Sequence, residues 1–237
     1  MAKGLIILFV AANLLTVGCK QTSFMKCNDF KLQPGDLLFR DSDCGPLCDA
    51  IEQVTTGFEG TNLSHVGIAA KDTDGNIVVI EAASSGVRVV ELQSFLNRSA
   101  DAQGKPKVIV GRLKKPYNQL IPAALKEAFN LKGKPYDKVF AVDNDAYYCS
   151  ELIYEIFKQA NNNNPVFALQ PMTFKDTDTG KTLPAWENYF SQLGVSVPEG
   201  RPGINPGGIS RSQALAIIYK YGNPSKKTTW SEMKNYE

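Results

Sequence analysis

Two residues of this chain are placed to do nucleophilic chemistry together. Cys149 opens an apolar stripe of Cys149, Leu152, Ile153, Ile156, Phe157 and Ala160, spaced as one face of a helix. A thiol in a helix's first turn feels the positive end of the helix dipole. That favours the thiolate, the form that attacks a carbonyl carbon. His65 is the sole histidine of the chain. An imidazole takes and returns a proton near neutral pH, so a Cys–His pair implies acyl transfer through a covalent intermediate. The opposing reading is a cysteine that fills the core as a small hydrophobe and a histidine satisfied by backbone.

A third group comes from the strand pattern. His65 lies in Asn62-Leu63-Ser64-His65-Val66-Gly67-Ile68-Ala69-Ala70, which reads as a short strand. Asp72-Thr73-Asp74-Gly75-Asn76 follows as a turn, and Ile77-Val78-Val79-Ile80-Glu81-Ala82 as the returning strand. With the hairpin centred on Thr73, Glu81 falls directly opposite His65 and on the same face. There it would orient the ring and stabilise its imidazolium form. A slip of one residue would turn Glu81 to the other face. The competing partners for His65 are a backbone carbonyl, Asp137 and Asp145.

The elements that must position these residues follow from the rest of the pattern. A Pro34-Gly35 turn leads into an apolar strand over 37–39, and a short helix is expected over 50–56. After the His65 hairpin come strands over 87–92 and 107–113, then a helix over 118–131 with Pro122 near its first turn. Asp143, Asn144 and Asp145 read as the start of the Cys149 helix. This order specifies an α+β fold, an antiparallel sheet packed on the helix that carries the cysteine. The tail over 165–237 reads as a short helix over 186–193, a Pro- and Gly-rich loop over 201–210 and a helix over 212–221. No linker sets it apart, so it is expected to elaborate the same core.

The N-terminus reads as a targeting segment. Lys3 precedes an apolar run over 5–17, too short to span a bilayer, and Gly18-Cys19 closes it. Leu15-Thr16-Val17-Gly18-Cys19 resembles a bacterial lipobox, with Thr16 where that motif more often has an aliphatic residue. The resemblance implies a signal peptide over 1–18, cleavage before Cys19 and lipidation of its thiol. The expected protein is an exported, membrane-anchored lipoprotein of the cell envelope, with 19–237 as a single hydrolase domain elaborated from about 165. A formal charge of +2 on 237 residues leaves no electrostatic footprint for nucleic acid. Of the five cysteines, Cys27, Cys44 and Cys48 form an odd set, so one disulfide and one leftover thiol are expected, with the pairing open. A zinc site built from these three and His65 would fit no standard finger spacing. No cofactor or metal is expected, and oligomeric state is not legible.

Four stretches in this order carry a family likeness: Pro34-Gly35-Asp36-Leu37-Leu38-Phe39, Ser64-His65-Val66-Gly67-Ile68-Ala69, Gly133-Lys134-Pro135-Tyr136-Asp137 and Tyr148-Cys149-Ser150-Glu151-Leu152-Ile153. Together the chain resembles the permuted papain-like amidases of the YiiX/YaeF type. These are relatives of the NlpC-type cell-wall peptidases and of the lecithin:retinol acyltransferase-like enzymes. The resemblance implies a circularly permuted papain-like fold in which the histidine strand precedes the cysteine helix. It implies Cys149 as nucleophile and His65 as base. The third, polar member lies on the strand after the histidine, where this sequence has Glu81. The loop over 41–49 with its two cysteines departs from the pattern. The expected activity is hydrolysis of amide bonds, in cell-wall peptides first. The alternative is an acyltransferase or a lipid or thioester hydrolase acting on acyl chains at the membrane, and a further one is a non-catalytic binding lipoprotein. An open polar cleft would favour peptide, an apolar tunnel lipid.

Overall fold

The computed structural model describes Met1 and residues 30–226. The readings on the signal segment, Cys19 and Cys27 lie outside these residues. The described elements, in order, are β1 (Leu37–Arg40), α1 (Pro46–Val54), β2 (His65–Lys71), β3 (Ile77–Ala83), β4 (Gly86–Glu91), α2 (Leu92–Leu96), β5 (Val108–Leu113), α3 (Ile121–Asn130), α4 (Cys149–Ala160), β6 (Gln170–Pro171), α5 (Pro184–Gln192), β7 (Pro202–Gly203), α6 (Pro206–Ser210) and β8 (Leu215–Lys220). Among them no helix is long and apolar enough to cross a membrane.

Six of the strands form one antiparallel sheet in the order β4-β3-β2-β1-β5-β8. Its central strands are buried on both faces, which is why they read as nearly unbroken apolar runs. On one face Val66, Ile68 and Ile80 pack against Leu152, Ile153 and Ile156 of α4, all without exposure. On the other, Ala69 and Val79 pack under Phe95 of α2. A third cluster, of Ala50, Phe174, Trp186 and Phe190, joins α1 to α5.

Three expectations are corrected. The β2–β3 register sets Ile68 opposite Ile80 and Lys71 opposite Ile77, so the hairpin is centred on Asp74 and not on Thr73. Asp72 determines this: its Oδ1 accepts the N–H groups of Asp74 and Asn76, and its own N–H donates to the Asn76 carbonyl. The shift moves Glu81 two residues along the ladder, so it keeps its face. The expected helix over 212–221 is the edge strand β8. Leu215-Ala216-Ile217-Ile218-Tyr219-Lys220 is rich in β-branched and aromatic residues, and β5 offers a free edge. Asp143, Asn144 and Asp145 do not begin α4. Asn144 closes a turn by accepting the Ala146 N–H, and the helix starts at Cys149, where the Glu151 carboxyl accepts the Tyr148 N–H at 3.2 Å.

Candidate active site

His65 is the first residue of β2, so its ring stands at the rim of the sheet. Cys149 is the first residue of α4 and packs over the same rim. The His65 ring and the Val66 backbone N–H both lie close enough to the thiol to lower its pKa. Ser150 Oγ lies 3.8 Å from the sulfur. Among the described residues Cys149 is the one free cysteine, and although only 7% exposed it lines a cavity.

The far side of the ring is held by Glu81. Its Oε2 lies 2.7 Å from His65 Nε2, leaving Nδ1 for the sulfur. Glu81 is fully buried and is also gripped by two arginines: Arg88 Nε at 2.9 Å and Arg98 Nη1 at 2.6 and 2.8 Å from its two oxygens. The register places Arg88 directly opposite Glu81. Burial alone would raise the Glu81 pKa, but the hydrogen bonds and charges of His65 and Arg98 overcome it and hold the carboxyl well below its usual range. Phe95 forms a floor: His65 lies with ring centroids 5.9 Å from it, and the Arg40 guanidinium sits 4.7 Å above it.

These contacts set the protonation of the pair. Burial alone would push the Cys149 thiol up, but the His65 hydrogen bond and charge, with Ser150 and Val66, bring it below the free-thiol value. Burial would likewise lower the His65 pKa, yet the bonds to Cys149 and Glu81 raise it above the ordinary imidazole value. Both shifts favour thiolate beside imidazolium, the reactive form of a cysteine nucleophile. The competing carboxylates are elsewhere. Asp137 accepts the N–H groups of Val139 and Ala141 in its own loop, and Asp145 pairs with Lys134 at the surface. The first-turn N–H groups of α4, that of Cys149 included, have no partner within their helix and can receive a developing oxyanion.

The family likeness carried by the sequence now has a fold and a site beneath it. A family model described as "permuted papain-like amidase enzyme, YaeF/YiiX, C92 family" matches residues 31–219. The chain belongs to that family. It is a family of cysteine peptidases and amidases, and the histidine strand preceding the cysteine helix is its permuted order. Among solved structures, the chain is similar to the crystal structure of metalloprotein YiiX from Escherichia coli O157:H7. The TM-score is 0.63 at 23% identity, covering 82% of this chain and 100% of that one. No curated protein matches. Among the described residues no group of three His, Cys, Asp or Glu side chains could hold a metal ion. Cys44 and Cys48 are joined in a disulfide, which withdraws both thiols from the zinc set considered above.

Cys149 and His65 open on a cavity of about 650 Å³ that the sequence did not reveal. One part of its lining is apolar: Leu47 and Ile51 of α1, Met172, Trp186 and Leu193 around α5, and Ile204. Another part carries Arg40, Arg88 and Arg98. The tail therefore builds much of the slot. The arginines had a partial signal: the two-residue turn at Ser84-Ser85 sets Arg88 against Glu81 by simple hairpin counting. Nothing local marked Trp186 or Ile204 as cavity residues.

Proposed function

We propose that this family member is an amide hydrolase whose substrate presents an apolar chain to the slot beside Cys149. In this reading the thiolate attacks the amide carbonyl carbon, a C–S bond forms and the carbonyl electrons move onto oxygen. The N–H groups at the start of α4 hold that oxyanion. Its collapse breaks the C–N bond, and the His65 imidazolium gives its proton to the departing amine. Water then attacks the thioester, His65 takes the water's proton, the C–S bond breaks and the acid leaves. Glu81 keeps the ring oriented and stabilises its charged form throughout.

The observation that carries the choice of substrate is the lining of the slot. An apolar surface of Leu47, Ile51, Met172, Trp186, Leu193 and Ile204 is suited to a hydrocarbon chain. This favours acyl amides over the cell-wall peptides that the sequence put first. The proposed lipoprotein anchor at Cys19 is consistent with such a substrate, since it would hold the domain at a membrane surface. The test is incubation of purified protein with N-acyl amino acids, phospholipids and muropeptides, with products read by mass spectrometry. Release of fatty acid from the acyl amide by wild type and not by Cys149→Ala supports the reading. Cleavage of muropeptides alone would restore the cell-wall assignment. Transfer of the acyl group to an added amine or alcohol in place of water would make the protein a transferase.

A further inference from the structure

Arg40 ends β1 directly opposite His65 and is only 6% exposed. Its guanidinium lies on the Phe95 ring, Nε donates to Ser42 Oγ at 2.9 Å, and Nη1 makes a long 3.4 Å contact to the Phe95 carbonyl. Arg88 and Arg98 both pair with Glu81, whereas among the described residues no carboxylate lies within 4.0 Å of Arg40, which feels the Glu81 charge only from farther off. The single charge of Glu81 thus faces three guanidinium groups and the imidazolium, and cannot balance them all. The Cys149 thiolate offsets this only in part, because the imidazolium beside it matches its charge. Burial lowers the Arg40 pKa to about 10, so it stays charged at neutral pH. A buried cation with no carboxylate in contact is costly unless a ligand supplies one. Arg40 lines the same cavity as Cys149 and the apolar slot.

We propose that Arg40 is a specificity residue that binds a carboxylate on the polar part of the substrate, which makes the substrate class N-acyl amino acids with a free carboxylate. The acyl chain occupies the apolar slot, the carboxylate meets Arg40, and the amide between them lies over Cys149. A planar guanidinium matches a carboxylate with paired, charge-assisted hydrogen bonds. This inference rests on the acyl-amide reading above and adds the second end of the substrate.

The test compares N-lauroyl-alanine with N-lauroyl-alaninamide, which share chain and scissile bond and differ by one charge. Wild-type kcat/KM should favour the acid by roughly ten- to a hundredfold, most of it in KM. Arg40→Met, which keeps an apolar stem on Phe95, should bring that ratio close to one. Arg40→Lys, which keeps the charge without the fork, should retain part of it and serves if the Met variant folds poorly. A second measurement needs no turnover: the rate of Cys149 alkylation by iodoacetate relative to iodoacetamide, with the site read by mass spectrometry. Arg40→Met should lower that ratio about tenfold. If Arg40 only supports the thiolate, both reagents slow in parallel and the ratio stands, which overturns the proposal. Equal cleavage of the two substrates by wild type overturns it too and leaves the acyl-amide reading intact. An Arg40-dependent iodoacetate preference without cleavage of either substrate keeps the anion site and overturns the substrate class.

Discussion

Glu81 meets His65 on the diagonal of the β2–β3 ladder: Oε2 lies 2.7 Å from Nε2, although the register sets Glu81 level with Gly67. Diagonal partners on one face are farther apart than direct ones and are reached by long side chains. Gly67 has no side chain to stand between them. A Cβ there would meet Val79 Cγ1 at 2.6 Å, so this close strand approach depends on glycine.

Glu81→Gln should lower kcat/KM by roughly ten- to a hundredfold, about 1.4–2.7 kcal/mol, because the amide can still orient the ring but has lost its charge. Glu81→Ala should lose more activity and also melt earlier, since Arg88, Arg98 and His65 all lose their buried acceptor. Steady-state kinetics and thermal melts on the same preparations check both. A wild-type rate in Glu81→Ala would mean that His65 takes its orientation from somewhere else.

Cys149→Ala should abolish turnover while leaving the melting temperature within a few degrees, because Leu152, Ile153, Ile156 and Phe157 still fill the helix face. Iodoacetamide should label Cys149 at neutral pH, and His65→Ala should slow that labelling by leaving the thiol without its cationic partner. Peptide mapping of the alkylated protein reads the result. Equal labelling in the two proteins would separate His65 from thiol activation.

The pH–rate profile should be a bell. The Cys149 pKa is lowered, so the acidic limb lies below that of a free thiol. The His65 pKa is raised, so the imidazolium survives above the ordinary imidazole value and the alkaline limb lies above it. The ion pair exists between the two limbs. Removing the Glu81 charge withdraws support from the imidazolium, so Glu81→Gln should move the alkaline limb to lower pH. An alkaline limb that stays in place would show that the carboxylate does not set the state of His65.

Burial raises the Glu151 pKa to about 8. The unfolded chain ionises this group near the usual glutamate value of about 4.3, so across the interval up to about 8 the folded state binds more protons. Its contribution to stability is therefore greatest at acid pH and declines as pH rises through that window. Glu151→Gln keeps the acceptor for the Tyr148 N–H and removes the titration. It should match wild type near pH 5 and exceed it near pH 8, by on the order of 1–2 kcal/mol. Denaturant melts at the two pH values check this, and parallel curves would place the titration on another group.

The Cys44–Cys48 disulfide holds the first turn of α1, whose Leu47 and Ile51 line the slot. Closing so short a loop contributes about 2 kcal/mol. Cys44→Ala should lose about that much stability and raise KM for a long-chain substrate more than it lowers kcat. A KM unchanged by the loss of the bridge would detach α1 from substrate binding.

The chain's own pattern was enough for the elements nearest the chemistry. The spacing of Cys149, Leu152, Ile153, Ile156 and Phe157 placed the thiol at the head of a buried helix, because a helix must turn one stripe inward. Alternation put His65 and Glu81 on one face of a hairpin, and a register error of two residues left that face intact because the side-chain period is two. Where contacts are distant in sequence, local pattern was silent or wrong. The pattern over 212–221 predicts a helix, yet Leu215–Lys220 is a strand because β5 had an open edge to satisfy, a tertiary fact. Arg40 beside His65, and a slot walled by Leu47, Met172, Trp186 and Ile204, exist only once β1, α1 and the tail converge on the rim of the sheet. Periodicity records which way a residue faces within its own element. Which residues of other elements it then meets is decided by packing, and in this protein that packing builds the walls of the cavity.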